Sequence, residues 1–189
     1  MKIEQMDENF NKKCKEFTQL ILKYNKTHNI TGAKTEKKVL ENIEDSIYPL
    51  TFLDPKKFKT VIDVGSGAGF PAIILSFAMP NTHFYLFEPI AKKSSFLHLV
   101  KSNLNLKNVT IRTCRVEEEK AFSVDLITSR AVTDTKTLID LCKSFISTQT
   151  TLLFYKGQNV TKEIEGLKNY EIYQNSLRNY LVLKEIYPS

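Results

Sequence analysis

The stretch Val61-Ile62-Asp63-Val64-Gly65-Ser66-Gly67-Ala68-Gly69-Phe70-Pro71 decides the fold of this chain. An apolar run ends in an acid, and three of the six glycines in the sequence follow within five residues. Glycine adopts positive φ without steric cost and lets a ligand approach the main chain closely. The segment 72–78 behind the glycines has a helical composition. A strand, a glycine turn and a helix N-terminus in this order predict a nucleotide-binding cradle.

Strand and helix patterns alternate downstream of residue 60, which indicates a parallel α/β sheet. Five short strands are predicted, at residues 60–64, 83–87, 109–113, 124–128 and 150–155. Two more, near 170–175 and 180–186, flank a turn and suit an antiparallel hairpin. We therefore expect an α/β fold built on a Rossmann-like, seven-stranded sheet whose last strand is antiparallel.

Two amphipathic helices are predicted before this sheet. The first covers residues 7–28, where apolar side chains recur at spacings of four and three. The second covers about 35–47, and two prolines then bracket a linker. The sequence thus predicts a helical extension over residues 1–55, packed on a core over residues 56–189.

Composition limits the function classes. The three cysteines and three histidines are scattered, without the spacing of a disulfide framework or a metal site, so we expect no metal. The N-terminus is charged, and no apolar run approaches the roughly 20 residues of a membrane helix, so we expect a cytoplasmic protein and no membrane partner. A net charge of +6 permits nucleic-acid binding. A lysine-rich solvated surface is the equally weighted alternative.

The spacing of the glycines selects among nucleotides. A dinucleotide fingerprint places its third glycine where this chain has Phe70, whereas here that glycine comes one residue earlier. Glu88 ends the second strand, where a carboxylate can accept both hydroxyls of a ribose. This register favours S-adenosylmethionine over a dinucleotide. The predicted cofactor-binding residues of this part are Asp63, Gly65, Gly67, Gly69, Phe70 and Glu88.

Other candidates stand at later strand ends. Val116 and Glu117 follow the third strand, where they would border an adenine, although an ordinary acidic turn is an open alternative. Arg130 ends the fourth strand, where substrate and cofactor would meet, and is predicted to be both catalytic and cofactor-binding. Lys156 ends the fifth strand and is the second catalytic candidate. Lysine is common at strand ends, so a structural role for Lys156 carries about equal weight.

Taken together, the motifs resemble one family. They are Asn29-Ile30-Thr31, Asp45-Ser46, the glycine stretch through Pro71, Lys92-Lys93 with Phe96-Leu97, Arg115-Val116-Glu117, Ser129-Arg130-Ala131-Val132 and Lys156-Gly157. This set resembles the GidB family (also called RsmG), the bacterial 16S ribosomal RNA guanine-N7 methyltransferases, over about residues 10–166. Two positions depart from the family pattern: Glu41-Asn42-Ile43-Glu44 lacks the usual histidine, and Ala72 replaces a glycine.

The resemblance implies a class I, S-adenosylmethionine-dependent methyltransferase, acting as a monomer on 16S ribosomal RNA or the small ribosomal subunit. It places Gly65, Phe70, Val116, Glu117 and Arg130 at the cofactor. Three alternatives stay open: a methyltransferase acting on a protein or small molecule, a non-catalytic RNA-binding module, and a dehydrogenase, which Phe70 disfavours.

Overall fold

The computed structural model describes residues 3–186, which form one seven-stranded sheet with helices on both faces. The strands are Thr60–Val64 (β1), His83–Phe87 (β2), Val109–Arg112 (β3), Leu126–Arg130 (β4), Thr151–Lys156 (β5), Tyr170–Gln174 (β6) and Asn179–Leu183 (β7). The helices are Glu8–His28 (α1), Glu36–Ile47 (α2), Ala72–Ala78 (α3), Ala91–Asn103 (α4), Thr135–Cys142 (α5) and Val160–Glu163 (α6).

The strand order is β3-β2-β1-β4-β5-β7-β6. Strands β1 to β5 pair in parallel, while β7 runs antiparallel to both of its neighbours. The predicted fold class is confirmed, including the antiparallel last strand. Because the order reverses between β1 and β4, a crevice opens at their carboxyl ends, which is where such sheets bind ligands.

The predicted bounds of β1 and β2 are confirmed to the residue, whereas β4 lies two residues later than predicted. The reason lies at Asp125, whose carboxylate accepts hydrogen bonds from the backbone N–H groups of Lys59 (2.7 Å) and Thr60 (2.8 Å). Asp125 therefore joins the starts of two strands, and β4 continues to Arg130 at the carboxyl edge.

The N-terminal helices begin at side-chain caps. Asp7 accepts from the N–H of Phe10, and Thr35 accepts from the N–H of Lys38, which satisfies donors that have no partner inside a helix. The described helices Glu8–His28 and Glu36–Ile47 begin one residue after their predicted starts.

These helices share a hydrophobic core with one face of the sheet. Phe17 of α1 packs edge-on against Phe70, with ring centroids 5.3 Å apart, and against Phe77 of α3 at 6.3 Å. Burial of such aromatic rings is a large contribution to stability. The division of the chain at residue 55 stays a prediction. Within residues 3–186, no helix combines the length and hydropathy that crossing a bilayer requires.

Candidate active site

The glycine stretch forms a tight loop between β1 and α3. Gly65, Gly67 and Gly69 all have positive φ, at 69°, 56° and 97°. The N–H groups of Gly65 and Ser66 donate to the carbonyl of Phe87, at 2.9 and 3.1 Å. Backbone hydrogen bonds therefore hold the loop against the end of the neighbouring strand β2.

The three glycines meet different surroundings. A Cβ at Gly65 would overlap with Cγ2 of Val132, and one at Gly69 would lie 2.8 Å from Cγ1 of Ile73. A Cβ at Gly67 would meet nothing closer than 3.8 Å. Gly65 and Gly69 therefore allow close packing, whereas Gly67 is required by its backbone conformation alone.

Glu88 lies beside this loop and is buried. Its Oε2 accepts from the N–H of Gly67 and its Oε1 from the N–H of Ile90, both at 2.8 Å. Each carboxylate oxygen has two lone pairs, so each can accept one further hydrogen bond from a ligand. The carboxylate is thus held in a fixed orientation at the carboxyl end of β2.

Asp63 lies below the loop and is also buried. Its Oδ1 accepts from the hydroxyl of Thr128 at 2.6 Å, while its Oδ2 has no hydrogen-bond partner among residues 3–186. Burial raises the pKa of Asp63 to about 6, since a carboxylate loses hydration there.

A cavity of about 430 Å³ opens above the loop, within the roughly 300–1,000 Å³ common for ligand sites. Seven of the predicted site residues line it: Gly65, Gly67, Phe70, Glu88, Val116, Glu117 and Arg130. Three predicted residues are not among its lining residues, namely Asp63, Gly69 and Lys156. The structure thus gathers residues from four separate strand ends and loops around one space.

The turn after β3 forms one wall. Val116–Glu118 is a 3-10 turn in which Val116 is buried against apolar neighbours. The Glu118 carboxylate accepts from the N–H of Arg115 at 3.1 Å and fixes the start of the turn. The segment is an acidic turn that borders the cavity, and its place beside an adenine stays a prediction.

Arg130 at the end of β4 also lines the cavity. Its guanidinium carbon lies 4.9 Å from the centroid of the Phe70 ring, a cation–π distance. Its Nη1 donates to Oδ1 of Asn42 (2.9 Å) and to Oδ2 of Asp45 (3.2 Å). Burial lowers the pKa of Arg130 and Asp45 opposes this shift, but an arginine side chain stays charged in proteins.

Asp45 is shared between two arginines. Its Oδ1 accepts from Nε of Arg178 and from the hydroxyl of Tyr180, both at 2.7 Å. Its side chain is 1% exposed, whereas those of Arg130 and Arg178 are 14% and 22% exposed. One buried carboxylate therefore balances two cations and leaves one positive charge beside the cavity.

Lys156 is engaged elsewhere. Its ammonium donates to Oε2 of Glu163 (2.7 Å) and to the carbonyl of Thr133 (2.9 Å). The same carboxylate oxygen accepts from the N–H and the hydroxyl of Thr135, both at 2.9 Å. Lys156 thus fixes the loop that follows β4, and its catalytic role stays a prediction.

The loop between α1 and α2 adds residues to which the sequence pattern assigned no role. Ile30 and Thr31 line the cavity, as does Lys93 of α4. Asn25 holds this loop by donating to the carbonyl of Thr31 (2.9 Å) and accepting from its N–H (3.0 Å). The Asn29-Ile30-Thr31 motif was the signal available in the sequence, but the place of Ile30 and Thr31 at the cavity is visible only in three dimensions.

No group of three or more His, Cys, Asp or Glu side chains that could hold a metal ion occurs in the described part of the chain. The cavity instead offers a fixed carboxylate, backbone amides, an apolar wall and a guanidinium. This donor set suits a ligand that carries hydroxyls, a flat ring and an anionic group.

Sequence comparison identifies close relatives of known description. The model of the GidB family, described as rRNA small subunit methyltransferase G, matches residues 10–185. A protein of Campylobacter fetus subsp. fetus is 46% identical over 182 residues, 96% of this chain and 98% of that protein. One of Wolinella succinogenes is 44% identical over 175 residues, 93% and 90% of the two chains. Both are named ribosomal RNA small subunit methyltransferase G.

Solved structures share the fold at low identity. A putative S-adenosylmethionine-dependent methyltransferase of Methanococcus maripaludis matches with a TM-score of 0.63 at 17% identity, over 97% of this chain and 99% of that chain. An S-adenosylmethionine-dependent O-methyltransferase of Thermotoga maritima matches with a TM-score of 0.62 at 17% identity, over 77% and 66%. These likenesses concern the fold alone.

Proposed function

Because the chain belongs to the GidB family of small-subunit rRNA methyltransferases, we propose that it methylates N7 of a guanine in 16S ribosomal RNA. S-adenosylmethionine is the methyl donor of this reaction. The observation that carries the proposal is the cavity at the carboxyl ends of β1, β2 and β4, which Glu88 after β2 and Arg130 of β4 both line.

The residues at the cavity fit this cofactor. The Glu88 carboxylate, fixed by the N–H groups of Gly67 and Ile90, would accept hydrogen bonds from the two ribose hydroxyls. Val116 and Glu117, which line the cavity, would border the adenine ring. Arg130 would pair with the α-carboxylate of the methionine moiety, since a guanidinium matches a carboxylate in geometry and charge.

When bound, S-adenosylmethionine supplies an electrophilic methyl group on a positively charged sulfur. Guanine N7 is an acceptor with a free lone pair at neutral pH, so the enzyme does not have to remove a proton before attack. In keeping with this, His28, His83 and His98 are not among the cavity-lining residues. The work of the chain is then to hold sulfur, methyl and N7 in line, with reacting atoms about 3–3.5 Å apart.

Arg130 must not block the acceptor atom. A guanidinium that donated to N7 would occupy the attacking lone pair. The Nη1 group of Arg130 is directed to Asn42 and Asp45 instead, and its ring contact is with Phe70. This arrangement supports a role at the cofactor.

Lysines near the cavity supply attraction for the RNA backbone. Lys93 lines the cavity, and Lys92 next to it is exposed. The hydroxyl of Tyr24 donates to the carbonyl of Lys92 (3.3 Å), so the basic start of α4 adjoins the end of α1. Binding through phosphate contacts weakens steeply as salt rises. The target base must be unstacked or lie in an open loop to enter.

The test is methyl transfer from methyl-labelled S-adenosylmethionine to small ribosomal subunits from cells lacking this modification. Naked 16S ribosomal RNA, large subunits and a metabolite pool are run in parallel, with Glu88→Ala as the inactive control. We expect label in 16S ribosomal RNA that is recovered as 7-methylguanine after digestion. Label in another base, in protein or in a small molecule would overturn the proposed specificity.

A further inference from the structure

Helix α2 contributes two hydrogen-bond acceptors to one nitrogen of Arg130. Asn42 and Asp45, which we call the α2 clamp, are three residues apart and therefore lie on the same face of the helix. Both accept from Nη1, at 2.9 and 3.2 Å. Nη1 carries two hydrogens, so the clamp uses both of them.

The clamp and Phe70 together fix the orientation of a planar group. The Phe70 ring lies 4.9 Å from the guanidinium carbon, and the clamp holds one edge of the same group. Among residues 3–186, all hydrogen bonds of the Arg130 side chain are made by Nη1. The donors at Nε and Nη2 thus remain for a ligand, in a plane that the protein has already set.

Asp45 is itself held in place. Arg178 and Tyr180 donate to its Oδ1, so its Oδ2 is turned toward Arg130. The two arginines and one carboxylate leave a net positive charge at a partly exposed wall, where an anionic ligand group is attracted without the cost of burying an isolated charge.

We propose that the α2 clamp positions Arg130 for the carboxylate of the cofactor, so that an N-terminal helix outside the sheet sets cofactor affinity. Asn42 and Asp45 are positioning residues, because neither is among the residues that line the cavity. This inference rests on the proposed function for the identity of the ligand, but its test needs no RNA.

The test measures the affinity for S-adenosylhomocysteine by titration calorimetry. Asp45→Asn removes the charge and keeps the size of the side chain, and we expect the Kd to rise about tenfold to hundredfold. The double variant Asn42→Asp with Asp45→Asn moves the carboxylate by one helical turn to the other acceptor position. It gives up the bond from the Asn42 amide to the carbonyl of Lys38 (3.0 Å), so we expect a partial recovery of at least threefold.

Arg178→Gln is the matched control. It removes one of the two bonds to Oδ1 of Asp45, keeps the one from Tyr180 and leaves both acceptors of Arg130 in place, so we expect a Kd within about threefold of the wild type. Circular dichroism and Tm are recorded for every variant. If Asp45→Asn is unfolded at the assay temperature, Asn42→Ala replaces it, with an expected several-fold rise in Kd.

The outcomes separate the clamp from a merely structural network. Loss of affinity in Asp45→Asn (or Asn42→Ala) with recovery in the double variant supports the clamp. Wild-type affinity in the first variant, no recovery in the double variant, or an equal loss in Arg178→Gln would overturn it. Methyl transfer by the wild-type protein is measured separately, so a failure of the RNA assay with an intact affinity pattern counts against the proposed function and not against the clamp.

Discussion

The carboxyl ends of β1 and β2 border the same cavity as the carboxyl end of β4, but the two regions are built differently. At β1 and β2, the N–H of Gly67 in the glycine loop donates to the Glu88 carboxylate, 21 residues away in sequence. At β4, Arg130 depends on side chains 85 and 88 positions away, on a helix outside the sheet.

This difference indicates a division of labour between local and tertiary structure. The glycine loop needs only a few residues that adopt positive φ and one acid at the next strand end. The Arg130 wall needs a long-range network of charges, which forms only when α2 and β7 are docked. We therefore expect substitutions at the glycine loop to act directly on the cofactor, and substitutions around Arg130 to act through its orientation.

The largest effect is expected at Glu88. Glu88→Ala removes the ribose acceptor and leaves the N–H groups of Gly67 and Ile90 without their partner. These two N–H groups make charge-assisted hydrogen bonds to the carboxylate, each worth about 1.5–3 kcal/mol. Their loss predicts a decrease of about 3–6 kcal/mol in cofactor binding and loop stability combined. Calorimetry with S-adenosylhomocysteine and urea unfolding measure the two parts. Glu88→Gln keeps one acceptor oxygen, so an equally large loss there would show that charge alone matters.

The next effect distinguishes two glycines of the same loop. Gly65→Ala adds strain from its positive φ and a steric overlap with the side chain of Val132, which together cost about 2–5 kcal/mol. Gly67→Ala adds the same kind of backbone strain with no close contact, so we expect only about 1–2 kcal/mol. Urea unfolding with and without S-adenosylhomocysteine checks both. Equal losses of stability in the two variants would mean that the Val132 side chain moves away from the added methyl group at no cost.

Asp63 gives the loop region a pH dependence. Its pKa in the folded protein is about 6, above the ordinary value of 3.8, so the folded state binds more protons between these two values. The stability it contributes is present below about pH 4 and is lost as pH rises through 6. Asp63→Asn lacks this titration, so its stability relative to wild type should rise by about 2 kcal/mol from pH 4 to pH 7. If the stabilities of Asp63→Asn and the wild type changed in parallel over that pH range, the raised pKa of Asp63 would be excluded.

The smallest effect tests Lys156 at the other region. Lys156→Met breaks its ion pair with the partly exposed Glu163 and should cost about 1–2 kcal/mol in unfolding free energy. Adding Glu163→Gln removes the unpaired carboxylate. If Lys156 positions the loop after β4, this double variant regains methyl transfer. If Lys156 is catalytic, transfer stays low while stability recovers.

The same contrast explains how far the sequence predicts this molecule. The bounds of β1 and β2, the glycine loop and Glu88 follow from local patterns, because periodicity and backbone requirements act over a few residues. The contact of Asn42 and Asp45 with Arg130 could not be found that way, since an amphipathic helix also places polar residues where they only face water. The ion pair of Lys156 with Glu163 had no signal either, because a lysine at a strand end has many ordinary explanations.

The central claim is that this chain methylates N7 of a guanine in small-subunit ribosomal RNA. The most direct measurement is a map of 7-methylguanine in 16S ribosomal RNA from cells with the protein, without it, and with the Glu88→Ala variant in its place. We expect one 7-methylguanine that is present only with the wild-type protein. An identical 7-methylguanine map in all three strains would contradict it.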